Sequence, residues 1–389
     1  MKLFHISNES MLKNQKELFD IPNEVNYLNI ANQSPSFKAV EKAGIEAVIK
    51  KSHPYKITTD SYFEPVKELK KLFAKLIEAE DYNRIACIPS ASYGLSSVAN
   101  NISLEKGDEI LLLENQFPSN YYVWEKLATK FQANIKIVMR PTVEVNQGLL
   151  WNEAILNNIT QKTAVVAIGN VHWASGTLFN LKAIRKKTTQ FNSLLIIDGT
   201  QSVGALPFSV KEINPDALIC AGYKWLFGPY GCGYGYFGKF FDNGIPLEEN
   251  WSNRMHSEKL SDLTSYEAKY KPLANRYSVG EHASFIHTQM QITALKQVIE
   301  WKPAAIQKYC YTITKKAVDD LKEIGCFIEN SKDRAHHLFG IRIPENLCMK
   351  KLKEELSKQI FLFLLEANIF VYPVMYLIQN KILRHWSLV

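Results

Sequence analysis

Leu194-Leu-Ile-Ile-Asp198-Gly-Thr-Gln201, followed by Ile219-Cys-Ala-Gly-Tyr-Lys224-Trp-Leu-Phe-Gly-Pro229, decides the fold. The first stretch is an apolar run ending in a carboxylate, the pattern of a strand buried on both faces. It places Asp198 at the carboxyl end of that strand. A second short strand, 217–220, delivers Lys224 onto a turn rich in glycine and proline, 26 residues after Asp198. Ligands of open α/β sheets bind outside the carboxyl ends of the strands, so both side chains reach a ligand-binding edge. Taken singly, such an Asp more often caps a helix and such a Lys is usually solvated. Their pairing is what carries information.

Outward from this core, the chain alternates strands with helices over about 84–240. Strands are expected at 84–89, 108–113, 133–139 and 163–169, and a helix at 152–159. Val66, Leu69, Leu72, Phe73, Leu76 and Ile77 have helical spacing within 64–80. This alternation predicts a mostly parallel sheet with crossover helices. Ser90-Ala-Ser-Tyr-Gly94 opens a further helix to about 101, and small hydroxyl residues at a helix start offer free N–H groups to an anion. Glycines 233–238 spell a GxGxxG, but aromatics alternate with them and no helix follows. That stretch reads as an antiparallel strand of the sheet.

Toward the amino terminus, 1–20 read as a short amphipathic helix broken by Pro22, and 27–32 as a small strand. Ser34-Pro35 then opens a helix through Lys51. Toward the carboxyl terminus, 246–274 are polar and irregular. Helices through Trp301 and over 304–324, with strands at 326–329 and 337–343, make a smaller α+β domain. The expected division is a helical segment over 1–20 packing with the small domain, a large domain over 21–265 and a small one over 266–389.

Composition narrows the class. With 389 residues, 46% hydrophobic and 22% charged, the chain can fold as a two-domain globular protein. The net charge of +7 is dispersed, and the lysines of 67–75 and 350–353 alternate with Glu or apolar residues as solvated helix faces do. Nucleic acid binding is not needed to explain them. No 18-residue apolar span and no apolar leader core occur, so no membrane partner is expected. Cys87, Cys220, Cys232, Cys310, Cys326 and Cys348 show neither a CxxC pair nor metal spacing with histidine. They read as reduced core residues of a cytoplasmic protein without a metal.

A lysine and a carboxylate at one sheet edge are the two groups a pyridoxal phosphate site needs. The lysine forms a Schiff base, and the acid keeps the pyridine nitrogen protonated so that the ring draws electrons. Asp198-x-x-Gln201 followed by Gly222-Tyr-Lys224-Trp-Leu-Phe-Gly228-Pro-x-Gly231 resembles the lysine signature of the class V aminotransferases, fold-type I pyridoxal phosphate enzymes. These include cysteine desulfurases, kynureninases and isopenicillin N epimerase-like proteins. The resemblance covers about 20–358. It implies an α/β fold with a large, mostly parallel seven-stranded sheet domain and a small α+β C-terminal domain.

By the same resemblance, Lys224 carries the cofactor and moves the substrate α-proton, Asp198 pairs with the ring nitrogen, and Gln201 bonds the phenolic oxygen. Ser90, Ala91, Ser92 and Tyr223 would contact the phosphate, and Phe117 of the sequence FPSN would cover one ring face. Asn32 would pass near the substrate. His172 and Trp173 would define the substrate side, although a plain core histidine fits His172 equally well. The turn holding Gly280 and Glu281 would reach the phosphate in a neighbouring subunit, which implies a homodimer. Relatives carry R-x-x-x-G-T or R-x-x-x-G-E at this turn, and this chain has the Glu form, which lacks the threonine hydroxyl.

The chain end departs from the pattern. Relatives close with IxVSxRG and then xxRxSxHxYN, whose arginine clamps the substrate carboxylate, whereas 359–378 read QIFLFLLEANIFVYPVMYLI. A/T-rich codons for that stretch, read in another frame, can spell the expected ending, which points to a frameshift near Lys358. Resequencing that finds no restoring frame would remove this reading. Arg384 is the one late arginine and is not assigned the clamp.

The reaction stays open among aminotransfer, epimerisation and lyase chemistry on an amino acid. Desulfuration is disfavoured, because neither Cys326 nor Cys348 sits in the expected nucleophile loop. Two alternatives remain beside it: a protein of this fold that binds the cofactor without turnover, and a nicotinamide-dependent oxidoreductase resting on glycines 233–238.

Overall fold

The computed structural model describes residues 12–143, 145–344, 354, 361–362, 364–366 and 369–373. After β1 (Asn26–Tyr27) come β2 (Ile85–Ile88), β3 (Glu109–Leu113), β4 (Asn134–Val138), β5 (Thr163–Gly169), β6 (Leu194–Asp198), β7 (Ala217–Ala221) and β8 (Gly233–Phe237). The last seven form one sheet in the order β2-β8-β7-β6-β5-β3-β4. Pairings among β3 to β7 are parallel, and β8 runs antiparallel to both β2 and β7. The GxGxxG is therefore a buried sheet strand. It presents no helix N-terminus to a dinucleotide, which removes the basis of the oxidoreductase alternative.

Helices cover both faces of this sheet, as its doubly apolar strands require. Alternate residues of one strand enter separate cores: Leu111 and Leu113 face one, Ile110 and Leu112 the other. The first core is closed by α2 (Asp60–Leu76), α5 (Gln147–Asn158), α6 (Leu181–Gln190), the short α7 (Val210–Ile213) and α8 (Phe285–Trp301). The second is closed by α3 (Ala91–Ala99) and α4 (Ser119–Phe131). A third core joins α8 to α9 (Pro303–Glu323), β9 (Leu338–Arg342), and Phe37 just ahead of α1 (Lys38–Lys51).

Two amino-terminal expectations are corrected. Residues 1–11 lie outside the described residues. Over 12–20 there is one 3-10 turn, Lys16–Leu18, rather than a helix, because Phe19 is extended and bridges Phe37. The strand expected over 27–32 is limited to Asn26–Tyr27, which pairs with β10 (Phe361–Leu362). Beyond it, Asn32 and Gln33 donate to the Asn29 carbonyl and turn the chain. The helix expected at 152–159 starts earlier, at Gln147, whose amide donates to Pro141 and Val143 carbonyls. The strand expected at 326–329 is a single bridge between Phe327 and Arg342.

At the carboxyl end β11 (Leu364–Glu366) and β12 (Ile369–Pro373) pair antiparallel, and β12 adds to β9. Part of the atypical ending thus forms sheet. The frameshift position near Lys358, Cys348 and Arg384 lie outside the described residues.

Candidate active site

Pro89, Leu113, Gly169, Asp198 and Ala221, at or next to the carboxyl ends of five strands, line one cavity of about 250 Å³. The sheet topology thus builds the site where open α/β sheets bind ligands. Lys224, Asp198, Gln201, Phe117, Ser90, Ala91, Ser92, Tyr223, His172 and Trp173 all line it. The structure brings together ten of the expected residues from five separate segments.

Lys224 is only 6% exposed. Its amine lies 5.5 Å from the centre of the Phe117 ring and 5.8 Å from that of Tyr223. Burial penalises the ammonium and holds its pKa down to about 8, while the Asp198 charge opposes that shift. Asp198 is pushed the other way: burial raises its carboxyl, and Thr200 and Lys224 draw it partly back. The Thr200 N–H donates to Asp198 Oδ1 at 3.0 Å. Burial thus favours the neutral form of both groups while the Thr200 hydrogen bonds favour the Asp198 carboxylate, and shifted groups sharing one cavity are what proton-transfer chemistry uses.

Gln201 is fixed at both ends of its amide. Nε2 donates to the Ala31 carbonyl at 2.9 Å, and Oε1 accepts from Trp225 Nε1 at 2.9 Å. One N–H remains for a ligand. Ser34 donates from both its N–H and its hydroxyl to the Tyr223 carbonyl, at 3.1 and 2.9 Å. The amino-terminal segment therefore braces the lysine turn from beneath.

Ser90 caps α3, its hydroxyl accepting from the Tyr93 N–H at 3.1 Å and meeting the Ser92 hydroxyl at 2.9 Å. Ala91 and Ser92 occupy the first helical positions, whose N–H groups have no acceptor within a helix. These N–H groups line the cavity and, with the helix dipole, could hold an anion there. His172 is buried and neutral. Its Nε2 donates to the Glu114 carbonyl at 3.2 Å, Nδ1 accepts from Ser175, and burial lowers its pKa to about 4.

Three expected residues lie outside the lining. Asn32 is exposed at the turn over 29–33. The Gly280 N–H donates to the Glu248 carboxylate, and Glu281 follows in a left-handed conformation at φ 57°. Conversely, Thr200, Gln116, Asn120 and Tyr230 line the cavity and were not expected. Thr200 could have been found, because Asp-x-Thr is a common side-chain turn pattern. Tyr230 follows Pro229 in the lysine turn and packs at 4.6 Å on Tyr223. Nothing in the local sequence marks Gln116 or Asn120.

A seven-stranded mostly parallel sheet with its ligand cavity at the carboxyl edge defines the class as fold-type I. Residues 47–361 match the family aminotransferase class-V, and the chain belongs to that family. It is 27% identical over 254 residues to an uncharacterized aminotransferase, YcbU, of Bacillus subtilis, covering 65% of this chain and 64% of that protein. A hercynylcysteine sulfoxide lyase of Schizosaccharomyces pombe is 26% identical over 262 residues, covering 65% and 63%. A probable cysteine desulfurase of Borreliella burgdorferi is 29% identical over 221 residues, covering 56% and 48%. The matches thus span under two thirds of each of these relatives. Among solved structures, the apo cysteine desulfurase of Thermococcus onnurineus shares the fold with a TM-score of 0.81 at 19% identity, covering 97% of this chain and 98% of that one. The cystine C-S lyase C-DES, in complex with cysteine persulfide, also gives 0.81, at 17% identity, covering 93% and 96%.

Proposed function

We propose that this chain is a pyridoxal phosphate-dependent enzyme acting on an amino acid by aminotransfer, epimerisation or lyase chemistry. One observation carries the reading: Lys224 is buried in the cavity at the carboxyl edge of the sheet, with no hydrogen bond or ion pair to its amine among the described residues. An amine so placed is costly for a protein with no ligand to receive it. The other residues fit the same group. The α3 N-terminus suits its phosphate, Phe117 its flat ring, and Asp198 its ring nitrogen.

When bound, pyridoxal phosphate condenses with a primary amine and takes up the electron pair released at the substrate Cα. The chain's own groups do the rest. With its pKa near 8, Lys224 is partly neutral around neutral pH, so Nζ can attack as a nucleophile and later hold or return a proton. Asp198, held by Thr200, provides the negative charge that keeps a ring nitrogen protonated. Gln201 offers its remaining N–H, and Phe117 keeps water from one face.

Desulfuration fits less well. Cys87, Cys220, Cys232, Cys310 and Cys326 are all buried, burial raises each thiol, and none lines the cavity. A thiol so placed is a poor nucleophile. These reduced cysteines support a cytoplasmic setting. Neither Gly280 nor Glu281 lines its own cavity, which fits a homodimer in which their turn serves a neighbouring site. The division into a large domain over 21–265 and a small domain over 266–389 remains our reading.

Borohydride reduction of the protein with pyridoxal phosphate, followed by peptide mapping, tests the assignment. Label on Lys224 is expected, and label confined to other lysines overturns it.

A further inference from the structure

Where β3 passes into α4, several donors lining the cavity are left over by the fold. Asn120 is only 1% exposed and lines the cavity. Its Oδ1 accepts from Trp124 Nε1 at 2.8 Å. An indole nitrogen only donates, so this bond fixes which end of the amide is oxygen. Nδ2 is then left without a partner among the described residues. Gln116 has a similar arrangement. Its Oε1 accepts from the Leu113 N–H, and Nε2 uses one of its two hydrogens on the Asn120 carbonyl. Ser119, half-buried at the first position of α4, also lines the cavity. Neither its hydroxyl nor its N–H has a partner among the described residues.

An unmet donor on so deeply buried a side chain is unfavourable unless a ligand or water takes it up. Other polar groups nearby are already engaged. Trp173 Nε1 donates to the Asn115 carbonyl at 2.7 Å, and both His172 ring nitrogens are held, by Glu114 and Ser175. The side-chain oxygens of Asn120 and Gln116 are taken by Trp124 and Leu113. The capacity left here is mainly to donate. A carboxylate meets it best: its two oxygens offer about four lone-pair sites, and hydrogen bonds to a charged acceptor are about twice as strong as neutral ones. The turn over 90–92, which suits the cofactor phosphate, follows β2, whereas these donors follow β3 and belong to a separate segment.

We infer that Asn120 Nδ2, Gln116 Nε2 and the Ser119 hydroxyl together bind a carboxylate of the amino-acid substrate. The inference rests on the proposed function and deepens it, giving the same cavity a carboxylate-binding set built from neutral donors. Phe117, which stands between Gln116 and Ser119 in the chain, has its ring centre 5.5 Å from the Lys224 amine. The donors thus flank, in sequence, the ring that suits one face of the cofactor. The carboxylate has two possible sources. If it is the one at Cα, the set orients every substrate; if it is on the side chain, the set selects acidic amino acids.

The test is a spectral titration of the pyridoxal phosphate-loaded protein with two isosteric pairs, L-alanine against L-alaninamide and L-aspartate against L-asparagine. Each pair exchanges a carboxylate for a carboxamide at one position. Asn120→Asp keeps an acceptor for Trp124 and turns the free N–H2 into an oxygen, so a carboxylate is repelled and a carboxamide accepted. The preference for carboxylate over carboxamide is expected to fall about tenfold or more. It falls in the alanine pair if the Cα carboxylate is held, and in the aspartate pair if the side chain is. Ser119→Ala removes one donor and should lower the same preference about threefold, which decides the matter should Asn120→Asp fail to fold. Preferences unchanged in every variant that binds cofactor overturn the inference, and so does a cofactor band that none of the four compounds perturbs. Weakened cofactor binding with unchanged preferences also overturns it, giving the donors to the phosphate instead. Absence of any cofactor band in the wild type would overturn the proposed function, and the carboxylate site with it.

Discussion

Thr200 holds Asp198 from two sides: its N–H donates to Oδ1 at 3.0 Å, and its hydroxyl bonds the same carboxyl. Its Oγ1 also accepts the Ala221 N–H at 3.2 Å, which ties the Asp198 turn to the end of β7. One side chain thus fixes the acid and the strand that delivers Lys224.

Thr200→Val keeps the shape and removes the hydroxyl. It leaves the Ala221 N–H without its acceptor and should destabilise the fold by about 1–3 kcal/mol. Losing a hydrogen bond to the charged form raises the Asp198 pKa further, so the carboxylate is lost at higher pH on acidification. Cofactor retention in the variant should therefore fail at higher pH than in the wild type, and Thr200→Ser should restore it. A pH titration of the cofactor band checks this, and coincident wild-type and variant curves would contradict it.

Lys224 makes the cofactor-free protein less stable at neutral pH. Its folded pKa of about 8 lies below the unfolded value near 10.5, so the burial penalty is fully present below pH 8 and fades as pH rises toward 10.5. The penalty is of order 3 kcal/mol. Cofactor-free Lys224→Met should unfold at a higher temperature than wild type at pH 7, with the gap narrowing across that window. A gap independent of pH would count against the buried ammonium.

Four histidines add an acid limit. Burial lowers the pKa of His172, His282, His336 and His337 to about 4 in each case. Between the ordinary value near 6.5 and about 4, the unfolded chain binds protons that the folded one does not, so stability falls as pH falls through this range. Thermal unfolding followed from pH 7 to 4.5 should show a steep drop in Tm, and a flat profile would refute the account.

Gly176 marks where β9 meets the loop bearing His172. Its φ is +73°, and an added Cβ would sit 2.2 Å from the Leu338 carbonyl oxygen. Ala335 N–H donates to the Gly176 carbonyl and Gly340 N–H to the Ser175 carbonyl, both at 2.9 Å. Gly176→Ala should cost about 2–4 kcal/mol and loosen that junction. Denaturant melts and hydrogen exchange at Ala335 and Gly340 would read it, and unchanged protection there would contradict it.

The sheet was legible because its central strands β3, β5, β6 and β7 are largely buried apolar runs closed by turns, and Asp198 and Lys224 mark two of those ends. Pairings made across long separations were not legible. Gln201 is committed to Ala31 and Trp225, partners that no local pattern reveals. The amino-terminal helix failed for a similar reason: Phe19 is pulled extended against Phe37, Phe227 and the core around Trp301. Tertiary packing of aromatics outweighed helical periodicity there. The same holds for Gln116 and Asn120, whose place at the cavity follows from the β3 to α4 connection rather than from residue type.

The most direct test of the central claim is the visible absorbance of the purified protein with pyridoxal phosphate, beside that of Lys224→Ala. A Schiff-base band in the wild type, absent from the variant and shifted by an amino acid, is the predicted result. A wild-type protein with no such band, or a band that survives Lys224→Ala unchanged, would contradict it.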